Sequence, residues 1–488
     1  MRRRINALLA KPDVRWALLI VGVLAVIYGS TLCPTVYWYD SAEFAACARS
    51  LKVPHPPGYP LYTLIAHVFT YLPGEPAVGV NIMSVVFGLA SALLCYALGR
   101  LAGARAPAAA AAALTLGVSK TFWWNSVVAE VYTAGLTFIL GTFVLLIVAV
   151  RRQSLRMVWK AALLGGLGVG VHMSITTLGL GYGLLVATVA DSVDRPRDLL
   201  TLWARGWKSR LRALGGSIVA TAAGLLVFLY IPLRQFKNWD EREWGWFVEG
   251  VTGGRFKIRF MDEYDLGGQL GLLYGAFVDN LTVVGLVLAP LGLVALGRRD
   301  LRLAVALMLA IGGNVWFFFN YYVHDIEVFY LPGIALTVVL LGVAFDVLGQ
   351  WLVRRRVPQM ITVLAMFVLP TVMVLRNREH CDLSEQTEAQ QYARSVIRQV
   401  PLRAEIVLYE HPLEWKHSAV VQYVRDGLKM RRDIVLRRWP APAAVEARVA
   451  AGAALYTLLP LKRIGNRPAL KQVREGVLWR IKYVGGGR

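Results

Sequence analysis

Asp40 and Glu43 stand three residues apart in the stretch VYWYDSAEFAACARSLKVPHPPGYPLY, residues 36–62, and His55 follows in a segment of prolines and a glycine. Carboxylates at i and i+3 share one side of a helix's first turn if the helix starts at Ser41. The same spacing fits a capping box, in which the two acids satisfy free backbone N–H groups and do nothing else. The neighbours favour chemistry. Tyr37, Trp38, Tyr39 and Phe44 would desolvate the carboxylates and raise their basicity. A carboxylate in that setting takes a proton from a hydroxyl nucleophile. The prolines of VPHPPG hold His55 in a rigid turn. There it can donate to a phosphate or position an acceptor; a hydrogen bond to backbone is the plainer alternative.

These residues need a scaffold, and the composition says which. The 488-residue chain is 56% hydrophobic and 17% charged, a balance expected of a polytopic membrane protein. Apolar runs cover 16–34, 77–99, 106–122, 131–150, 158–174, 176–191, 213–232, 271–296, 301–319, 328–350 and 358–375, which makes about eleven transmembrane helices. The net charge of +22 comes from short basic clusters between these runs. No contiguous basic surface is formed, so nucleic-acid binding is excluded. Every cluster falls on the same side, which predicts a cytoplasmic N-terminus and an extracytoplasmic C-terminus. The segments of the other side, 35–76, 123–130, 233–270, 320–327 and the tail, hold many of the acids and histidines and several tryptophans. PLYTLIAHVFTYLP, residues 60–73, is too short to span and reads as an interfacial helix. The first run lacks a cleavage site and reads as a retained anchor.

The expected architecture is therefore an all-α membrane domain, residues 1–375, whose first external loop, 35–76, carries the chemistry. A small extracytoplasmic α/β domain, residues 376–488, follows. In it AEIVLYE, DIVLRRW, AALYTLL and GVLWRIKYV are strand candidates, and LEWKHSAVVQYVRDGL, residues 413–428, reads as an amphipathic helix. The basic tail would suit anionic headgroups. Four scattered cysteines make no disulfide framework.

Other residues are candidates by position. A leaving phosphate needs cations, and Arg234 at a span end, Lys257 and Arg259 are available; interfacial snorkelling is the alternative for Arg234. Glu130 sits at an external span end, where an acid is costly unless paired or functional. His172 lies at the end of the fifth run. His324, Asp325 and Glu327 cluster in YYVHDIEVFY and could join the first-loop acids around a divalent metal.

The 37–73 stretch resembles the opening signature of a membrane family long known only as a domain of unknown function. That family includes the eukaryotic transmembrane O-mannosyltransferases and belongs with the GT-C glycosyltransferases. Trp38, Asp40, Glu43, Phe44, His55, Pro56, Pro57 and Gly58 match its pattern, and Ala42 replaces the usual glycine. NIMSVVFGLAS, WWNSVVAEVYT, GLGVGVHMS and YIPLR follow in family order. The resemblance covers about residues 15–375 and implies a GT-C-like fold. It also implies a sugar taken from a polyprenyl-phosphate carrier at the extracytoplasmic face, for a protein, glycan or lipid acceptor. On that basis Asp40 is the lead catalytic residue, Glu43 the second, and the displacement inverts the anomeric carbon. His55, Glu130, His172, Arg234, Lys257 and Arg259 are the substrate-binding candidates. A bacterial inner membrane suits the polar outer loops.

The competing function is a transporter or flippase of a lipid-linked glycan. Transporters hold ionisable groups near the bilayer midplane, often within inverted repeats. Here the charges sit in loops and no repeat is evident; only the glycine-rich fifth and sixth runs lean toward transport.

Overall fold

The computed structural model describes residues 12–188, 207–252, 265–321, 323, 325–408, 412–438, 442–460 and 470–483. Of the sequence candidates, Lys257, Arg259 and His324 lie outside these residues.

The membrane domain begins with α1 (Pro12–Thr31), α2 (Asp40–Ser50), α3 (Pro60–Phe69) and α4 (Pro76–Leu101). It continues through α5 (Ala106–Gly117), α6 (Lys120–Ser126), α7 (Tyr132–Arg152), α8 (Leu155–Val169) and, after a 3-10 turn at Met173–Leu178, α9 (Gly179–Thr188). Then come α10 (Trp207–Leu225), α11 (Tyr230–Gln235), α12 (Glu241–Val251), α13 (Leu266–Arg299), α14 (Leu301–Phe319), α15 (Leu331–Arg354), α16 (Gln359–Met366) and α17 (Val368–Cys381). Eight helical stretches among the described residues are long and apolar enough to cross a membrane. Among the described residues the third, fifth and sixth expected spans are helical but shorter, and residues 189–191 of the sixth lie outside the described residues. For the third, α5 has 12 residues, about 18 Å of rise against a hydrocarbon core of about 30 Å. Its backbone does not need lipid-spanning length, because it is enclosed by protein.

The sequence of α5, APAAAAAALTLG, explains that enclosure. Eleven of its residues are buried, and alanines let neighbouring backbones approach closely. It packs against α4 and against α15, which is buried over most of its length and forms the centre of the bundle. The helix ends then sort themselves. Arg105 and Arg299 pair with buried Asp346 near the end of α15, at 2.7 and 3.2 Å. Arg151 bonds the Leu101 carbonyl, and Arg100 meets Asp13 at 2.7 Å. The basic clusters of several loops thus gather at one end of the bundle, as the alternating topology requires. The starts of α4, α7 and α15 lie at the other end, with α2 and α3.

The C-terminal domain comprises α18 (Glu388–Gln399), β1 (Glu405–Leu408), α19 (Pro412–Gln422), β2 (Val435–Arg438), α20 (Pro442–Ala450), β3 (Leu455–Thr457), β4 (Leu470–Glu475) and β5 (Leu478–Tyr483). The sheet order is β2-β1-β3-β5-β4. Strand β1 runs parallel to β2 and β3, and β5 antiparallel to β3 and β4. The four expected strands are present, and β4 is added at the edge. Its sequence LKQVRE alternates with charge, which suits an exposed edge strand and hides it from an apolar scan. The expected 413–428 helix is α19 followed by a single π turn at Tyr423–Gly427.

This domain docks on α2. Val36, Ala42, Ala45, Ala46 and Ala77 share one apolar core with Ala389, Ala393, Tyr423 and Val424. The alanines of AEFAACA are the reason α2 can be so closely covered.

Candidate active site

Helix α2 starts at Asp40, one residue earlier than the sequence indicates, and neither carboxylate caps it. The residue before it, Tyr39, has φ 54° and ψ −132°, a non-glycine conformation that costs on the order of 1–3 kcal/mol. The two acids are directed elsewhere. Asp40 Oδ1 accepts the indole N–H of Trp415 from α19 at 2.9 Å. Asp40 Oδ2 lies 3.7 Å from His55 Nε2. Glu43 Oε2 accepts from the His55 ring Nδ1 at 2.6 Å and from the His55 backbone N–H at 3.2 Å. The two carboxylates differ sharply in access: the Asp40 side chain is 36% exposed and that of Glu43 only 2%.

The proline turn delivers His55 to this pair. Burial would lower its pKa, but the Asp40 and Glu43 charges and the Glu43 hydrogen bond outweigh burial and push it up to about 9. His55 is therefore an imidazolium at neutral pH. Its Nδ1–H donates to Glu43, and its Nε2–H points to the Tyr59 oxygen at 3.2 Å.

From His55 a wall of rings runs into the bundle. Tyr59 stacks on His172 with centroids 6.1 Å apart, and His172 meets Tyr132 at 5.1 Å and Phe329 at 5.6 Å. His172 marks the break between α8 and the following 3-10 turn, where its Nδ1 bonds the Ser174 hydroxyl at 2.8 Å. Glu130 lies just before α7, within electrostatic reach of Asp40 and Asp325. Burial first, then those two charges, push its carboxyl well above the usual carboxylate range. A protonated Glu130 is a hydrogen-bond donor. Asp325 precedes the 3-10 turn Ile326–Tyr330 that carries Phe329, and its charge also acts on His55.

The structure thus brings Asp40, Glu43, His55, Glu130, His172 and Asp325 into one region. Glu327 is exposed on the same 3-10 turn. Among the described residues no group of three or more His, Cys, Asp or Glu is arranged to hold a metal. Arg234 is elsewhere. It donates to the Leu51 carbonyl at 2.7 Å and the Ser50 carbonyl at 3.4 Å, at the opposite end of α2 from Asp40. That separation is about 15 Å along the helix, and the cation complements the helix's negative terminus.

Sequence reasoning missed Trp415, Lys416, Tyr59, Tyr132 and Phe329. Lys416 Nζ sits 4.6 Å from the Trp38 ring centroid and 5.9 Å from that of Tyr39. The Trp415–Asp40 pair spans 375 positions, and no local pattern could join them. Tyr59 was within reach, since it follows Pro-Pro-Gly in the same turn as His55.

Solved structures share the fold that carries these residues. The fold matches ArnT from Cupriavidus metallidurans in its crystal structure with undecaprenyl phosphate, at a TM-score of 0.62 and 14% identity over 96% of this chain and 97% of that one. The oligosaccharyltransferase of Archaeoglobus fulgidus, in complex with zinc and sulfate, matches at a TM-score of 0.52 and 12% identity over 90% and 67% of the two chains. The chain has the GT-C fold. Within that fold, residues 40–191 match the N-terminal domain of protein O-mannosyl-transferase TMEM260. The mouse protein O-mannosyl-transferase TMEM260 is 28% identical over 261 residues, which is 51% of this chain and 34% of that protein. The Dictyostelium discoideum protein of that name is 28% identical over 93 residues, 18% of this chain and 11% of that protein. The matched region is thus about a third or less of the length of these relatives. The GT-C segment that matches holds Asp40, Glu43, His55, Glu130 and His172; Trp415 and Lys416 lie outside the TMEM260 domain match.

Proposed function

We propose that this GT-C chain is a glycosyltransferase that moves a sugar from a polyprenyl-phosphate carrier to an acceptor hydroxyl on the extracytoplasmic side of a membrane. The observation that carries the reading is the asymmetry of the acid pair: one accessible carboxylate, Asp40, beside an imidazolium that a second, buried carboxylate holds in place. The bound undecaprenyl phosphate in the ArnT structure and the O-mannosyl-transferase names of the sequence relatives support the donor class.

In this reading Asp40 Oδ2 takes the proton of the acceptor hydroxyl as its oxygen attacks the anomeric carbon. The new C–O bond forms as the C–O bond to the lipid phosphate breaks, and the phosphate leaves with that electron pair. A single accessible carboxylate fits one displacement, and hence inversion. Glu43, proposed from the sequence as a second catalytic acid, instead orients His55. His55 keeps the acid pair from repelling itself and presents positive charge to the reacting centre. Protonated Glu130 donates to a sugar hydroxyl, while the Tyr59–His172–Tyr132 rings take the sugar's apolar face. Lys416, on the roof beside Trp38, is the cation for the lipid phosphate; Lys257 and Arg259 are further candidates. Arg234 serves α2 rather than substrate. A cytoplasmic N-terminus and a bacterial inner membrane complete the reading.

The test is transfer in detergent. Purified protein, supplied with an acceptor hydroxyl (a serine- and threonine-rich peptide, or water), should transfer the sugar to it and release undecaprenyl phosphate from an undecaprenyl-phosphate sugar (mannose, glucose or galactose) without a bilayer. A flippase requires two leaflets and would be silent in that assay while moving the lipid in proteoliposomes.

A further inference from the structure

The C-terminal domain lies outside the match to the TMEM260 domain, yet it supplies the one neutral N–H donor on the Asp40 carboxylate among the described contacts. We infer that Trp415 is a positioning residue for the glycosyl transfer proposed above, so that the C-terminal domain is part of the catalytic apparatus.

Three observations carry this. First, Trp415 engages Oδ1 of Asp40 at 2.9 Å, which leaves Oδ2, the atom facing His55, to meet the acceptor. A carboxylate with one oxygen tied has its second oxygen fixed in direction. Second, the indole ring meets His55 edge-on at 5.9 Å, so one side chain sets the placement of both partners of the acid–imidazolium pair. Third, the domain that brings Trp415 is fastened to the loop it serves. Lys52 pairs with Asp426 at 2.7 Å, and Arg394 with Glu75 at 2.9 Å. The Ala77 N–H donates to the Tyr423 hydroxyl at 3.1 Å. A donor on a docked, rigid element costs no reorganisation when the reaction begins.

Trp415→Phe keeps an aromatic ring and removes the N–H. Trp415→His restores an N–H at a similar reach from Cβ. The assay is release of undecaprenyl phosphate from the undecaprenyl-phosphate sugar that the wild type turns over, with melting temperature followed in parallel. Trp415→Phe should lower kcat about tenfold or more, with KM for the donor held within about twofold. Trp415→His should regain a large part of that rate. An unchanged kcat in Trp415→Phe overturns the inference. So do equal losses in both variants, a rise in KM alone, or a fall in melting temperature that accounts for the loss of rate. In each of those cases the wild type is active and the function stands. A wild type that releases no lipid phosphate from any of the three sugars overturns the function and this inference with it.

Discussion

Asp40 and Glu43 occupy one helical turn, yet their surroundings give them different work. Glu43 is sealed under the His55 ring; the Asp40 side chain remains accessible. The difference predicts different mutants. Glu43→Gln keeps the shape and removes one of the carboxylate charges that raise the His55 pKa, so that pKa should fall from about 9 part of the way toward its ordinary value near 6.5, with the Asp40 charge still in place. The sign follows from linkage. A histidine pKa raised on folding contributes stability that is complete below about pH 6.5 and gone above about pH 9. Wild-type activity should accordingly fall as pH rises through about 9, and Glu43→Gln should move that basic limb to lower pH; a pH–rate profile of the two proteins measures the shift. Glu130→Gln preserves a donor and should retain most activity, whereas Glu130→Ala should raise KM for the sugar donor several-fold, about 1 kcal/mol of binding. Steady-state kinetics separates the two. The sequence made the acid pair visible by type and spacing. It favoured chemistry over capping through the aromatic neighbours, but it could not show what turns the carboxylates away from the backbone, because that depends on Trp415 and His55.

The proline turn is the element that places His55 and Tyr59, and it requires its glycine. Gly58 has φ +95°, and a Cβ there would sit 2.7 Å from the Ile231 Cδ1 atom and 3.1 Å from Val53 Cγ1. Ile231 belongs to α11, so the turn is gripped by a helix far along the chain. Gly58→Ala should cost about 1–3 kcal/mol of stability and lower activity by displacing His55, read as a reduced melting temperature together with a reduced rate. The rigidity of this turn was legible in VPHPPG; its wall against α11 was not, since that contact joins segments over 170 positions apart. The opposite case is α5. Its alanine run gives the expected helix but not its length, because an enclosed helix is freed from the span requirement that lipid would impose.

At the scale of the whole molecule, two units that the sequence separates by texture share one site. The α/β character of the tail was legible from the change from long apolar runs to short alternating ones. The docking was not, because it rests on small alanines of α2 and on single ion pairs. Glu75 holds that docking: it accepts from Arg394 at 2.9 Å, from the Thr35 hydroxyl at 2.9 Å and from Gln390. Glu75→Ala strands those donors at a cost of about 1–3 kcal/mol, and should make the segment between α17 and β1 cleavable by protease at concentrations that leave the wild type intact. Transfer, however, turns on the role of one oxygen atom, Asp40 Oδ2. Single-turnover release of undecaprenyl phosphate by Asp40→Asn, in detergent and beside the wild type, tests it most directly. The amide cannot take the acceptor's proton and should abolish release while the protein still binds the lipid carrier; release at the wild-type rate would show that Asp40 is not the base.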